Sequence, residues 1–174
     1  AAASYLDRAL KRCVPVRAWE ALIAPPWGRL GPNSGFVLLQ GDEIVGAYVA
    51  VYSERCEGGE NVPVCNLAAF CVDEGFRAHG LRLVRSLISQ RGFDFTDLSP
   101  SGNVPAMNER LGFRHIEGPT RLSINLWVPR ARGLFVTDDP AQLEQVLRGG
   151  DSRVYADHAA AAAAHHLLVR RGDD

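Results

Sequence analysis

The chain has 174 residues, a net charge of −1, and a composition 47% hydrophobic and 22% charged. That length holds one ordinary domain, or one domain and part of a second, and suffices to bury a core. The charge balance argues against a nucleic-acid or anionic-membrane partner. No apolar run reaches the roughly 20 residues of a membrane span. The opening AAASYLDRAL lacks the basic-then-apolar layout of a secretory leader. A cytoplasmic protein is therefore expected.

Taken in chain order, residues 4–13 and 16–23 carry helix-like apolar spacing, stopped at Pro25 and Pro26. GFVLLQ, a GDE turn and IVGAYVAVYS predict two strands of a hairpin. Residues 62–72, VPVCNLAAFCV, form a further strand-length apolar run. In LRLVRSLISQ, Leu81, Val84, Leu87 and Ile88 fall at helical spacing. FDFTDLS alternates as a strand does, and VPAMNERL is a short helix stopped by Gly112. FRHIE and RLSINLWV predict two more strands. The order is that of a mixed α/β fold built around a βαβ unit.

After Pro129 the character changes. LFVT predicts a short strand, DDPAQLEQVLR a helix with Pro in its first turn, and DSRVYADHAAAAAAHHLLVRR an Ala-rich helix. Residues 1–129 are read as one domain, and 130–174 as a helical appendage or the start of a further, incomplete domain.

Four cysteines occur, Cys13, Cys56, Cys65 and Cys71. On a regular strand Cys65 and Cys71 share a face but stand about 20 Å apart, too far for a disulfide. Reduced thiols are expected. No CxxC pair points to zinc. On one helix His158 and His165 lie about 10.5 Å apart, too far to share an ion, so no metal site is assigned. Trp19, Trp27 and Trp127 are read as core or pocket-wall residues.

The stretch VDEGFRAHG, followed by a helix, has the makings of an anion site. Helix N-termini offer unpaired N–H groups and the positive end of a dipole. Gly80 permits close backbone approach, and Arg77 and His79 add donors. Taken alone, it is equally an ordinary turn into a helix. Downstream, SGNVPAMNERLGF adds an Asn, an Ala three residues on, a short helix, and Leu-Gly-Phe.

With these two blocks in order, the chain resembles the GNAT superfamily of acyl-CoA-dependent N-acyltransferases over roughly residues 16 to 128. The family's V-x-P-x-Y/F-R-G-x-G-x-G/A block is matched at Val72, Phe76, Arg77 and Gly80. Its N-x-x-A-x-x-x-Y-x-x-x-G-F block is similar to Asn103, Ala106, Gly112 and Phe113, at slightly shorter spacing. The resemblance implies a central, mostly antiparallel sheet with a splayed parallel strand pair, flanked by helices. It implies acyl transfer, acetyl or longer, from CoA to an amine by direct attack. The co-substrate is then acetyl-CoA or another acyl-CoA. Phe70, Cys71 and Val72 are expected to hold pantetheine and the thioester carbonyl. Arg77, Ala78, His79, Gly80, Leu81 and Arg82 are expected at the diphosphate, and Asn103 at the cofactor.

Two departures stand out. Glu74, Ala78 and Arg82 replace the loop's Pro, first Gly and last small residue, so Arg82 must turn to solvent or clamp the phosphates. Counted back from Gly112, Asn108 stands where the family has the Tyr that protonates the departing thiolate; counted forward from Asn103, that position is Arg110. An amide is no acid at neutral pH. Ser101 or Ser99 holding a water is the expected substitute. Glu54 is the candidate base, with Glu60 and Asp73 beside it. Asn66 either lines the acceptor pocket or serves a strand bulge. Cys71 is a small hydrophobe rather than a nucleophile. The alternative to an enzyme is a non-catalytic GNAT-like module that binds acyl-CoA or a protein. The amine acceptor is unknown, and a homodimer stays open.

Overall fold

The computed structural model describes residues 1–10, 14–25, 27, 30–116, 118, 133–161 and 164–172. It forms two compact units, Ala1–His115 and Ile116–Asp174. The expected boundary at 129/130 lies outside the described residues, as do RLSINLWV, Cys13 and Trp127.

The first unit is the mixed sheet that was expected. Helices α1 (Ala2–Ala9) and α2 (Val16–Ile23) lead into β1 (Gly35–Gln40), β2 (Glu43–Glu57) and β3 (Glu60–Val72). A 3₁₀ turn, Glu74–His79, runs into α3 (Gly80–Ile88), followed by β4 (Asp94–Thr96) and α4 (Val104–Arg110). The sheet order is β1-β2-β3-β4. The first three strands are antiparallel, and β4 joins β3 in parallel. Helix α4 ends where predicted, at Gly112, whose φ of 91° suits the residue after a helix stop. FRHIE is no strand over its described residues 113–116.

Each sheet face carries its own core. On one, Tyr48, Ala50, Tyr52, Cys65 and Leu67 pack with Leu83, Val84 and Leu87 of α3, flanked by Met107 of α4. On the other, Ala47, Val49 and Ala69 pack with Ala3, Tyr5 and Leu6 of α1 and Trp19 of α2. Of the expected stripe on α3, Val84 and Leu87 are buried and Ile88 packs against the same core, but Leu81 is exposed and Leu83 is buried instead. Gly46 leaves room for its neighbours, because a Cβ there would meet Leu38 and Val72 side-chain atoms of the flanking strands at 3.2 Å and Leu83 Cδ1 of α3 at 3.4 Å. Trp27 is partly exposed and belongs to neither core, unlike its expected role.

A bulge corrects one expectation. Val49 pairs with Ala69 and Ala50 with Leu67, so Ala68 is an extra residue in β3. One inserted residue reverses the alternation. Cys65 therefore lies in the α3 face, and Cys71 packs against the α1 face. Cys56, Cys65 and Cys71 are free thiols.

In the second unit β5 (Leu134–Thr137) pairs antiparallel with β6 (Leu168–Arg171). Between them lie α5 (Pro140–Val146) and α6 (Gly149–His158). Asp139 caps α5, accepting from the Ala141 N–H at 3.0 Å, with Pro140 opening the helix as predicted. The Ala-rich segment departs from expectation. Its helix stops at His158, and its last residues form β6. Among the described residues, no helix is long and apolar enough to cross a membrane.

Candidate functional site

The splay between β3 and β4 follows from strand length. Their pairing runs from Val64↔Asp94 to Asn66↔Thr96 and stops, because β4 has only three residues. β3 continues to Val72, paired among the described residues with β2. Thr96 Oγ1 donates to Asn66 Oδ1 at 3.1 Å where the pairing ends. The bulge at Ala68 lies just beyond and turns Phe70 and Val72 toward the α3 and α4 side. A cleft of about 400 Å³ opens there, lined by Phe70, Cys71, Val72, Arg77, Asn103, Val104 and Met107.

Three elements supply these side chains. The end of β3 is fastened by the Asp73 N–H, which donates to Val45 O at 2.9 Å. It is also held by Tyr5, whose hydroxyl donates to Asp73 Oδ1 at 3.0 Å. Burial raises the Tyr5 phenol's pKa, with Cys71 and Asp73 adding to the shift, so it remains a donor. Burial likewise raises the Cys71 thiol, only partly offset by its hydrogen bond with Tyr5. The thiol stays protonated at neutral pH.

The loop supplies Arg77. It is tighter than an open cradle, since the Phe76 N–H donates to Asp73 O at 2.8 Å and the Gly80 N–H to Arg77 O. Arg77 is exposed and 4.0 Å from Glu74, a pair that solvent screens. Gly80 is buried, and its missing side chain matters. A Cβ would meet Phe70 Cζ at 3.1 Å and Val72 Cγ2 at 3.3 Å. The third element, α4, presents Asn103, Val104 and Met107, which share one side at helical spacing. Asn103 occupies the N-cap but makes no side-chain capping bond, which leaves its amide to the cleft.

Five of the residues expected at the site from sequence therefore meet: Phe70, Cys71, Val72, Arg77 and Asn103. Ala78, His79, Leu81 and Arg82 are exposed and do not line the cleft. Ser101 is exposed too, its carbonyl accepting from the Val104 N–H. Glu54 pairs with Pro63 near the hairpin tip and accepts from Asn61 Nδ2 at 3.3 Å. Seven residues of strand separate Pro63 from Phe70, roughly 20 Å, so Glu54 is not brought to the cleft. Asn108 is 5% exposed and turned beneath the cleft, where its Nδ2 donates to Asp97 Oδ2 at 2.8 Å. Val104 and Met107 were not singled out from sequence. Their spacing from Asn103 on one short helix was the available signal.

No protein-family model and no curated protein matches this chain. Solved structures do resemble it. A tetramutant of the BH1408 protein of Bacillus halodurans aligns over 66% of this chain and 77% of its own, at 16% identity and a TM-score of 0.49. The aminoglycoside acetyltransferase HMB0005, from an uncultured soil metagenomic sample, aligns over 71% and 88%, at 14% identity and 0.46. A Trypanosoma brucei acetyltransferase aligns over 52% of this chain at 24% identity and 0.41. The match spans 66% of that protein, just under two thirds of its length.

Proposed function

We propose that the Ala1–His115 unit binds an acyl-CoA in the cleft and passes its acyl group to an amine by direct attack. The observation that carries this is the splay. Beyond Asn66 the β4-facing edge of β3 has no strand partner among the described residues, and backbone groups there suit the amide groups of pantetheine. Arg77 stands at the cleft as a charge for the diphosphate. Asn103 offers an uncommitted amide. The antiparallel strands with the splayed parallel pair β3 and β4 are the layout implied by the GNAT resemblance.

Direct transfer suits the chemistry of the lining. Arg77 and Cys71 are its ionisable members. A thiol kept protonated by burial is a poor nucleophile, so no acyl-enzyme is invoked. The neutral amine attacks the thioester carbon, the C–S bond breaks, CoA leaves as a thiolate, and the proton lost from the new amide nitrogen passes to solvent or to the thiolate. A thiolate with pKa near ~8.5 leaves at neutral pH without obligatory protonation.

A second reading, a binding module without turnover, is favoured by one observation. Glu54 stands far along the hairpin, Ser101 is exposed and Asn108 is buried, and none of the three lines the cleft. Thermal shift with CoA, acetyl-CoA and longer acyl-CoAs tests binding, since ligand at 100 Kd stabilises by about 2.7 kcal/mol. No shift with any of them sinks the acyl-CoA reading, enzyme and acyl-CoA module alike, and leaves a module that binds a protein. Release of free CoA in the presence of mixed amines then separates enzyme from module.

A further inference from the structure

Beneath the cleft, polar side chains from three elements converge where β4 leaves β3. Asp97 follows directly after β4 and accepts from Asn108 Nδ2 of α4 at 2.8 Å. Asn108 Oδ1 is buried with no hydrogen-bond partner among the described residues, and so is the Tyr48 hydroxyl of β2. Burial raises the Tyr48 phenol's pKa, and the Asp97 charge adds to it, placing that hydroxyl near the same carboxylate. The cluster reaches both cleft walls. The Tyr48 ring lies against Phe70, with centroids 4.8 Å apart. On the other side, Asn108 belongs to the helix that presents Asn103, Val104 and Met107. Its carbonyl accepts the Leu111 and Phe113 N–H groups at 3.0 Å each, locking the helix end.

Burying an amide with one side-chain bond made and one acceptor unmade is costly. An apolar residue would fill the same space without that cost. We propose that Asn108 and Asp97 are positioning residues of the cleft, their hydrogen bond setting how far α4 stands from β3 and hence the width available to acyl-CoA. This rests on the acyl-CoA reading above. Neither residue touches the ligand. They act through Met107, Val104 and Asn103.

The test measures CoA affinity by titration calorimetry on the folded full chain, with folding checked by circular dichroism. Asn108→Asp removes the donor and sets a second carboxylate against the first. The CoA Kd should rise roughly tenfold or more. The exchange variant Asp97→Asn/Asn108→Asp restores donor and acceptor in reverse order and should recover most of the affinity. If Asn108→Asp fails to fold, Asn108→Ser should fold and lose affinity in the same direction. A purely structural role predicts lower melting temperatures with an unchanged Kd. That result overturns the proposal, as does an exchange variant no better than Asn108→Asp. Wild-type protein that does not bind CoA overturns the acyl-CoA reading and this inference together. Tight wild-type binding with unmoved variants overturns only this one.

Discussion

Replacing Gly80 by alanine probes the cleft through a single methyl group. The backbone permits the change, because Gly80 has helical angles of φ −55° and ψ −35°. The new Cβ meets Phe70 Cζ at 3.1 Å and Val72 Cγ2 at 3.3 Å, so a neighbour must give by a few tenths of an ångström. Phe70 and Val72 both belong to β3 and both line the cleft, but the β-branched Val72 is stiff at χ1 while the Phe70 ring can turn into the open space. The ring therefore has somewhere to go. Overpacking ordinarily costs about 1–3 kcal/mol. When the ring yields into empty space, that cost is deferred until a ligand needs the space. The melting temperature should then change little, while the CoA Kd rises roughly 5- to 150-fold, the equivalent of about 1–3 kcal/mol. Differential scanning fluorimetry and calorimetric titration measure the two quantities. A large drop in melting temperature with an unchanged Kd would refute the reasoning, since the ring would then be rigid and the cleft not the binding site.

Arg77→Ala should weaken CoA roughly tenfold and leave pantetheine unaffected, because only CoA carries the diphosphate. Equal losses for both ligands would remove Arg77 from the phosphate end. Asn108→Tyr places a larger ring in a site that is 5% exposed and breaks the bond to Asp97. It should lose about 1–3 kcal/mol or more in urea unfolding and gain no turnover; faster CoA release at unchanged stability would contradict the buried placement. Stability should also fall in alkali. Desolvation pushes the wholly buried Cys65 thiol from 9.0 up to about 11, against a lowering hydrogen bond from Tyr52. The folded chain keeps this proton while the unfolded chain releases it. The contribution is therefore complete below about pH 9 and disappears as pH rises toward 11, at most about 2–3 kcal/mol. Unfolding free energies that stay flat across that window would exclude it.

Local periodicity determined much of the first unit without help from tertiary structure. The 3.6-residue spacing of Val84, Leu87 and Ile88, the β1–β2 hairpin and the Gly112 stop are short-range features, and each appears where the spacing put it, although Leu83 rather than Leu81 completes the buried stripe. The motif residues Arg77 and Asn103 reach one cleft because strand, turn and short helix each have their expected type. Pairing and register were decided only in three dimensions. Nothing local in VPVCNLAAFCV announces the extra residue at Ala68, yet that residue reverses every later side chain and parts Cys71 from Cys65. Spacing from Gly112 put Asn108 at the chemistry. One residue on a helix is about 100° of rotation, and that turn carries it from the Met107 side to the buried bond with Asp97. Glu54 had the right charge but sits toward the far end of a long hairpin, whose length only the β2–β3 register reveals. At the C-terminal end, helix propensity competed with a partner some 31 to 37 residues away in sequence, from Thr137 against Leu168 to Leu134 against Arg171. The backbone hydrogen bonds of that antiparallel pair, invisible to any local window, take LVRR as a strand.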